Sequence, residues 1–201
     1  VSKFHTVDAI MEAYHAGERD FGESRVQELL HKRELLPQDI RWHFIGHLQT
    51  NKLKMVLPYA SLIQSVDSVR LLEAINNWGR ANNKVLNVLL ECFISSDETK
   101  QGFSRQEVLE IISGESKYDF IHISGVMGMA TYTDDEQIIR TDFRRLKEIS
   151  DMMQVRVGEC ANLSADCREV SMGMSDDYPI AIELGSTMIR VGSMIFGERN
   201  Y

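Results

Sequence analysis

Segments rich in β-branched and aromatic residues alternate along this chain with segments whose apolar residues recur at helical spacing. Residues 85–93 form an almost unbroken apolar run, which is typical of a strand covered on both faces. Further along, Ile139, Phe143 and Leu146 fall on one face of a predicted helix. No dipeptide such as Asn-Gly joins two alternating apolar runs, so no hairpin is predicted. Strict alternation of strand and helix leaves a closed barrel or an open, doubly wound sheet.

The sequence contains eight such strand–helix units, and each of the last two strands ends in a turn of small residues. These turns are residues 171–175, Ser-Met-Gly-Met-Ser, and residues 190–193, Arg-Val-Gly-Ser. Barrels of eight units often bind phosphate after strands 7 and 8, and the G-x-G-x-x-G turn of dinucleotide-binding open sheets is absent after strand 1. We therefore predict an α/β fold, a (β/α)8 TIM barrel, as a single domain over residues 1–201. The predicted strands are residues 1–3, 19–22, 41–46, 62–66, 85–93, 120–129, 169–172 and 188–191.

Polar residues stand where three of the predicted helices begin. Thr6 precedes the first helix as an N-cap. Ser24 with Gln27, and Ser104 with Glu107, fit the capping-box pattern, in which the two side chains bond to each other's backbone N–H. We expect Ser24 and Ser104 to cap the helices that follow them.

Composition and charge exclude several classes of function. The net charge of −8 argues against nucleic acid or an anionic membrane as partner, because both attract clustered Lys and Arg. No apolar run approaches the length of about 18 residues that a membrane span needs. Cys92, Cys160 and Cys167 show no C-x-x-C spacing, which indicates a reducing compartment, and we predict a cytoplasmic protein. His43 and His47 span a strand and its turn and so do not share a face; no metal site is predicted.

Two cations lie where a barrel has its catalytic mouth, at the C-terminal ends of the strands. Lys3 closes the first strand, where burial near other cations lowers the pKa of an amine and favours Schiff-base chemistry. The alternative for Lys3 is an ordinary solvated charge. Arg190 stands inside an apolar strand, and a buried guanidinium needs an acceptor. That acceptor is either a core carboxylate or a bound ligand.

Six stretches of the sequence match a known family in order and spacing over the whole chain. They closely resemble the pyridoxal phosphate (PLP) homeostasis protein family, single-domain relatives of the alanine racemase N-terminal barrel. The resemblance implies that pyridoxal 5'-phosphate is held as a covalent aldimine at Lys3. It also implies phosphate contacts from Ser171, Gly192 and Ser193, with Arg190 facing the pyridine nitrogen. The stretches are V-S-K (1–3), F-G-E-S-R-V-Q-E (21–28), W-H-F-I-G-H-L-Q-T-N-K (42–52), S-V-D-S (65–68), S-M-G-M-S-D-D (171–177) and G-S-T-M-I-R-V-G-S-M-I-F-G-E-R-N-Y (185–201).

The sequence departs from the family pattern at a few positions. Ser24 stands where the family usually has an Asn that faces the cofactor ring, so the resemblance offers Ser24 as a cofactor contact. Residues 4–6 are Phe-His-Thr where Thr-Lys-Pro is usual. The family also carries a helix and the first half of a strand before Val-Ser-Lys. We therefore expect the domain to lack its N-terminal helix and the start of strand 1.

Two functions from different classes fit such a site. The first is a PLP-binding protein of intracellular PLP (vitamin B6) homeostasis, a monomer whose partners are PLP itself and PLP-dependent apoenzymes. The alternative is a small PLP-dependent enzyme such as an amino-acid racemase, and a phosphosugar isomerase or aldolase comes third. A permanent cation at Arg190 disfavours protonation of the ring nitrogen and weakens the cofactor as an electron sink. The racemases also place an Arg there, but they add a second domain with the other base, for which we predict no room. The carrier is thus the favoured function, with at most weak PLP-dependent activity.

Overall fold

Six parallel strands form one sheet in the computed structural model, which describes residues 1–95, 101–113, 117–159 and 165–197. Each strand pairs with the next one along the chain, and every pair is parallel. This order results when the chain between two strands always crosses back over the same side of the sheet. The strands are β1 (Asp20–Glu23), β2 (Arg41–Phe44), β3 (Ala60–Val66), β4 (Leu86–Glu91), β5 (Ile121–Met127) and β6 (Ala165–Ser171).

Two irregular segments close this sheet into a ring. We call them the opening segment, residues 1–3, and the closing segment, residues 187–191. The opening segment lies beside β1, the closing segment lies beside β6, and the two segments bond to each other. The backbone hydrogen bonds are Ser2 N to Gly22 O (3.0 Å), Met172 N to Met188 O (3.1 Å) and Val1 N to Val191 O (2.5 Å).

The prediction of a closed barrel is therefore confirmed, but two predicted strands are wrong. Residues 1–3 and 188–191 occupy the first and eighth positions of the ring without forming strands. Each makes too few backbone bonds to its neighbours to build a repeating ladder, apart from an isolated bridge between Ser171 and Met188. The other six predicted strands each overlap an observed one, with the largest shift in β6, which begins at Ala165 rather than at residue 169.

Helices cover the outside of the ring. No helix within the described ranges is both long enough and apolar enough to cross a membrane. The helices are α1 (Val7–His15), α2 (Val26–Leu35), α3 (Leu53–Val56), which follows a 3-10 turn at Thr50–Lys52, α4 (Val69–Asn82), α5 (Arg105–Ser113), α6 (Glu136–Glu159), α7 (Tyr178–Glu183) and α8 (Ser193–Phe196).

Two of the three predicted caps are confirmed. Thr6 Oγ1 accepts a hydrogen bond from Ala9 N at 3.3 Å. Ser104 and Glu107 form the expected reciprocal pair, since Glu107 N donates to Ser104 Oγ at 3.3 Å and Ser104 N donates to Glu107 Oε2 at 2.8 Å. Both helices thus begin where the sequence predicts.

The predicted cap at Ser24 is wrong. Helix α2 begins at Val26, and Arg25, in extended conformation, takes the N-cap position without a side-chain bond to the helix. The reason lies in tertiary packing, because the backbone of Ser24 is held against Gly46, the residue two positions beyond β2. A Cβ atom at Gly46 would lie only 2.3 Å from Ser24 O. Ser24 therefore still belongs to the end of the strand and not to the start of the helix.

The apolar side chains divide between two layers. The larger layer lies between the sheet and the helices and includes Phe44, Leu72, Val88 and Phe143. A smaller cluster, from alternate positions of the strands and the closing segment, consists of Leu62, Leu89, Met127 and Met188. The barrel interior is therefore only partly apolar, and it also contains the polar side chains of His43, Gln64 and Ser171.

Candidate functional site

The opening segment brings Lys3 to the same end of the barrel as the last two turns. Val1 bonds to Val191, and a Cβ atom at Gly192 would lie 3.1 Å from Val1 O, so the two backbones touch. Beyond Lys3, the His5 ring stacks on Phe196 of α8 with ring centroids 4.7 Å apart. The lysine therefore lies alongside the stretch that contains Gly192 and Ser193, as the barrel prediction requires.

Lys3 itself is half-buried, and its ammonium group has no fixed partner. Its Nζ lies 5.0 Å from the centre of the Phe4 ring. Throughout the described ranges, no hydrogen bond or ion pair holds it. An amine in that position is available for a ligand, whereas a lysine with a structural role is normally paired.

Arg190 is buried, with 9% of its surface exposed. Its Nη1 donates to Ser171 Oγ at 2.8 Å, and its Nη2 donates to Gly128 O at 2.9 Å. Burial lowers the pKa of Arg190 to about 10, against the raising effect of Glu91 and Asp177, so the guanidinium stays charged at neutral pH. No carboxylate in the part of the chain that the structure describes pairs with it within 4.0 Å. A salt bridge to a core carboxylate therefore does not account for this residue.

The two small-residue turns lie side by side at the mouth. Arg190 N donates to Gly173 O at 2.8 Å, and Gly192 N donates to Ser175 Oγ at 3.3 Å. Gly173 has a φ of +96°, and a Cβ atom there would lie 2.7 Å from Ala181 Cβ. Only glycine permits this backbone to approach α7 so closely. Ser193 begins α8 and is exposed, so its hydroxyl faces solvent at the mouth.

Ser171 and Ser175 occupy different places, although both belong to the first turn. Ser171 is fully buried, and its Oγ donates to Gln64 Oε1 at 2.7 Å while accepting from Arg190. Ser175 is the serine that lies against Gly192. The family resemblance offers Ser171 and not Ser175 as a phosphate contact, whereas in the structure it is Ser175 that bonds to the second turn.

Gln64 belongs to a row of polar side chains that runs from the mouth through the barrel interior. We call this row, Ser171, Gln64, His43 and Asp20, the polar line. Gln64 Nε2 donates to His43 Nδ1 at 3.0 Å, and His43 Nε2 lies 3.3 Å from Asp20 Oδ1. Because Nδ1 accepts, the His43 proton is on Nε2, and burial lowers the pKa of this ring in spite of Asp20. Gln64 on β3 can reach Ser171 on β6 only across the interior. No local pattern in the sequence predicts this line, since its members are far apart along the chain.

Three further polar side chains lie at the ends of β2, β3 and β4. His47 Nδ1 is 3.0 Å from Asp67 Oδ2. Burial, and then the charge of Asp67, raises the pKa of Glu91 to about 7, although Arg190 and His47 lower it. Ser24 lies half-buried at the end of β1, on the same rim. The mouth thus combines the cations Lys3 and Arg190 with a carboxyl group that titrates near neutrality.

Comparison with known proteins identifies the family. The family model described as "Alanine racemase, N-terminal domain" matches residues 2–200. The Pyridoxal phosphate homeostasis protein of Schizosaccharomyces pombe is 37% identical over 202 residues, which cover 99% of this chain and 82% of that protein. The chain belongs to the pyridoxal phosphate homeostasis protein family. The human protein of that name is 38% identical, with coverage of 100% of this chain and 76% of its own length.

Solved structures agree with this family and with its barrel. PipY of Synechococcus elongatus without PLP has a TM-score of 0.89 and 32% identity, covering 98% of this chain and 90% of PipY. The structure of PipY with PLP bound has a TM-score of 0.86 and 31% identity, with the same coverage. An alanine racemase of Clostridium difficile has a TM-score of 0.72 at 15% identity, and this chain covers 50% of it. That last likeness concerns the fold alone.

Proposed function

We propose that this protein binds pyridoxal 5'-phosphate and takes part in intracellular PLP homeostasis. The observation that carries the proposal is the likeness to PipY over nearly the whole chain, since one PipY structure has PLP bound. The names of the relatives from S. pombe and human support the homeostasis role. The mouth described above fits the cofactor, because PLP needs an amine, an anion site and a partner for its ring.

We assign the covalent bond to Lys3, as an aldimine with the cofactor aldehyde. Its Nζ is unpaired among the described residues, and the opening segment places it beside the two turns. Ser193 would hold the phosphate through its hydroxyl, together with the backbone N–H groups of Ser193 and Met194, since the next two N–H groups, of Ile195 and Phe196, already donate to Gly192 O. Gly192, which has no side chain, would allow the phosphate to approach the backbone closely. Ser171 would act through Arg190, because its buried hydroxyl already bonds to that guanidinium.

Arg190 and Ser24 complete the proposed site. Arg190 would face the pyridine nitrogen, and Ser24 would lie against the ring at the end of β1. When bound, PLP supplies an electron sink whose strength rises with protonation of its ring nitrogen. A guanidinium that stays charged favours the unprotonated nitrogen. This setting favours a carrier with at most weak PLP-dependent activity, and we propose a cytoplasmic monomer that exchanges PLP with PLP-dependent apoenzymes.

An absorption spectrum tests the proposal directly. The protein mixed with PLP should gain the visible band of a Schiff base, and borohydride should remove the band and leave the label on the peptide that contains Lys3. Lys3→Arg, which keeps the positive charge but cannot form the bond, serves as the matched control. A wild-type protein that stays colourless would contradict PLP binding, whereas a band that persists in Lys3→Arg would contradict the assignment to Lys3 alone.

A further inference from the structure

A buried group of charges lies directly beneath the opening segment. Lys32 of α2 donates to Glu23 Oε1 at 2.7 Å and to Glu28 Oε2 at 3.0 Å. The Lys32 and Glu23 side chains are only 6% and 0% exposed. The resemblance to the family gives no role to this group, and neither does the cofactor site as proposed above.

The same three side chains hold the backbone on both sides of Lys3. Before it, Ser2 O accepts from Lys32 Nζ at 2.7 Å, and Ser2 Oγ donates to Glu23 Oε1 at 2.7 Å. After it, Phe4 N donates to Glu28 Oε2 at 2.8 Å. The hydrogen bonds from Phe4 N and Lys32 outweigh the burial of Glu28 and lower the pKa of that carboxyl. Lys3 is thus the one residue between two anchored neighbours.

The anchored backbone has an unfavourable conformation. Phe4 has a φ of +67°, in the left-handed region that side chains other than glycine, Asn and Asp rarely adopt. His5 N donates to Ser2 O at 3.0 Å, so Lys3 and Phe4 are the central residues of a tight turn. A bulky residue remains in such a turn only where its surroundings over-determine it, and such turns cluster at functional sites.

We propose that Lys32, Glu28 and Glu23 are positioning residues that hold the Lys3 turn so that its amine faces the cofactor mouth. A buried ion pair is weak evidence of a stabilising role, because its desolvation offsets much of its attraction. Among the described residues, every hydrogen bond that Lys32 Nζ donates ends on Ser2 O or on a carboxylate that itself bonds to residue 2 or residue 4. The role of these residues in orienting Lys3 rests on the proposed function. The geometry of the turn, however, can be tested without the cofactor.

The first experiment uses the protein without PLP. In Glu28→Ala, Phe4 N loses its acceptor while the Lys32–Glu23 pair remains, so the amides of Phe4 and His5 should exchange with solvent roughly tenfold faster. Glu28→Gln keeps a carbonyl oxygen for Phe4 N and should restore slow exchange. Glu107→Ala, which loses the capping box of α5 far from the turn, controls for a general loss of stability. Hydrogen exchange read by NMR or mass spectrometry gives the rates.

The second experiment measures the rate at which PLP becomes bound to Lys3. We expect Glu28→Ala to slow adduct formation about tenfold, since reaction rates depend steeply on the orientation of the reacting groups. Glu28→Gln and Glu107→Ala should react at the wild-type rate. Equal exchange and equal reaction rates in Glu28→Ala and Glu107→Ala would overturn the positioning role. A wild-type protein that forms no adduct would instead contradict the proposed function, while the exchange experiment would still decide the inference.

Discussion

At the scale of single residues, the two cations of the mouth have opposite surroundings. Lys3 lies in a turn held by its neighbours, and its amine is free of ion pairs within the described residues. Arg190 is fixed by two hydrogen bonds to neutral groups, Ser171 Oγ and Gly128 O. The mouth therefore contains one cation that no anion pairs within the described residues and one cation held in place by neutral groups.

Arg190 variants test the fixed cation. Arg190→Glu should shift the absorption band of bound PLP and permit slow transamination with amino acids, because a carboxylate favours a protonated ring nitrogen. Arg190→Gln, which removes the charge but keeps N–H donors for Ser171 and Gly128, should shift the band without that gain. Spectra and thermal melts of the same samples make the measurement. A lower melting temperature with an unchanged spectrum in both variants would assign Arg190 to the scaffold.

Ser193 tests the phosphate end of the site. Ser193→Ala removes one hydroxyl donor and keeps the backbone N–H groups, so PLP affinity should fall by about 1–3 kcal/mol, the range for a hydrogen bond to a charged group. Pyridoxal, which lacks the phosphate, should bind both proteins alike and far more weakly. Titrations of each protein with both ligands measure the difference. An equal loss for the two ligands would mean that Ser193 does not contact the phosphate.

At the scale of secondary-structure elements, the same local motif gives different results at two helix starts. Ser104 is exposed and forms its capping box with Glu107. Ser24 has a similar pattern, Ser-x-x-Gln, but its backbone packs against Gly46 and the helix starts later. A capping motif therefore predicts a helix start only where tertiary packing does not hold the backbone of the capping residue itself.

This contrast predicts different costs for the same substitution. Ser104→Ala should lower the free energy of unfolding by about 1 kcal/mol, the usual cost of a lost N-cap. In the absence of ligand, Ser24→Ala should lower the free energy of unfolding by only a few tenths of the cost of Ser104→Ala, because no helix loses its cap. Urea unfolding monitored by circular dichroism measures both variants. A cost at Ser24 as large as that at Ser104 would show that Ser24 stabilises the rim in another way.

At the scale of the whole molecule, the parallel arrangement of the strands brings like charges together in the mouth, because the ends of neighbouring strands lie at the same end of the barrel. Glu91 and Asp67 come from the ends of β4 and β3, and burial with their mutual repulsion raises the pKa of Glu91 to about 7. In the unfolded chain the pKa of this carboxyl is near its ordinary value of 4.5. Between these two values the folded protein holds a proton that the unfolded chain has lost. The contribution of Glu91 to the free energy of unfolding is therefore fully present below a pH of 4.5 and is lost as the pH rises towards 7.

Glu91→Gln should remove this pH dependence. The variant should gain stability relative to wild type as the pH rises from about 5 to 7, by up to about 1.4 kcal/mol per pH unit, and the gain should level off above that range. Glu73→Gln, on the exposed face of α4, controls for the loss of one charge. Urea unfolding at several pH values provides the comparison. A constant difference between Glu91→Gln and wild type across the range would contradict the raised pKa.

The sequence by itself determined the alternation of strands and helices, because burial patterns and caps such as Thr6 are local. It also indicated the cations and turns of the candidate site, since Lys3, Arg190 and Gly192 stand at or just after the ends of the first and last predicted strands, which occupy those positions of the ring without forming strands. Tertiary structure decided what depends on distant residues. It alone places Ser171 in the barrel interior with Gln64, brings Ser175 to Gly192, moves the start of α2, and sets Lys32 and Glu28 around Lys3. Each of these contacts joins residues from different elements, so their energies do not appear in any local pattern of the chain.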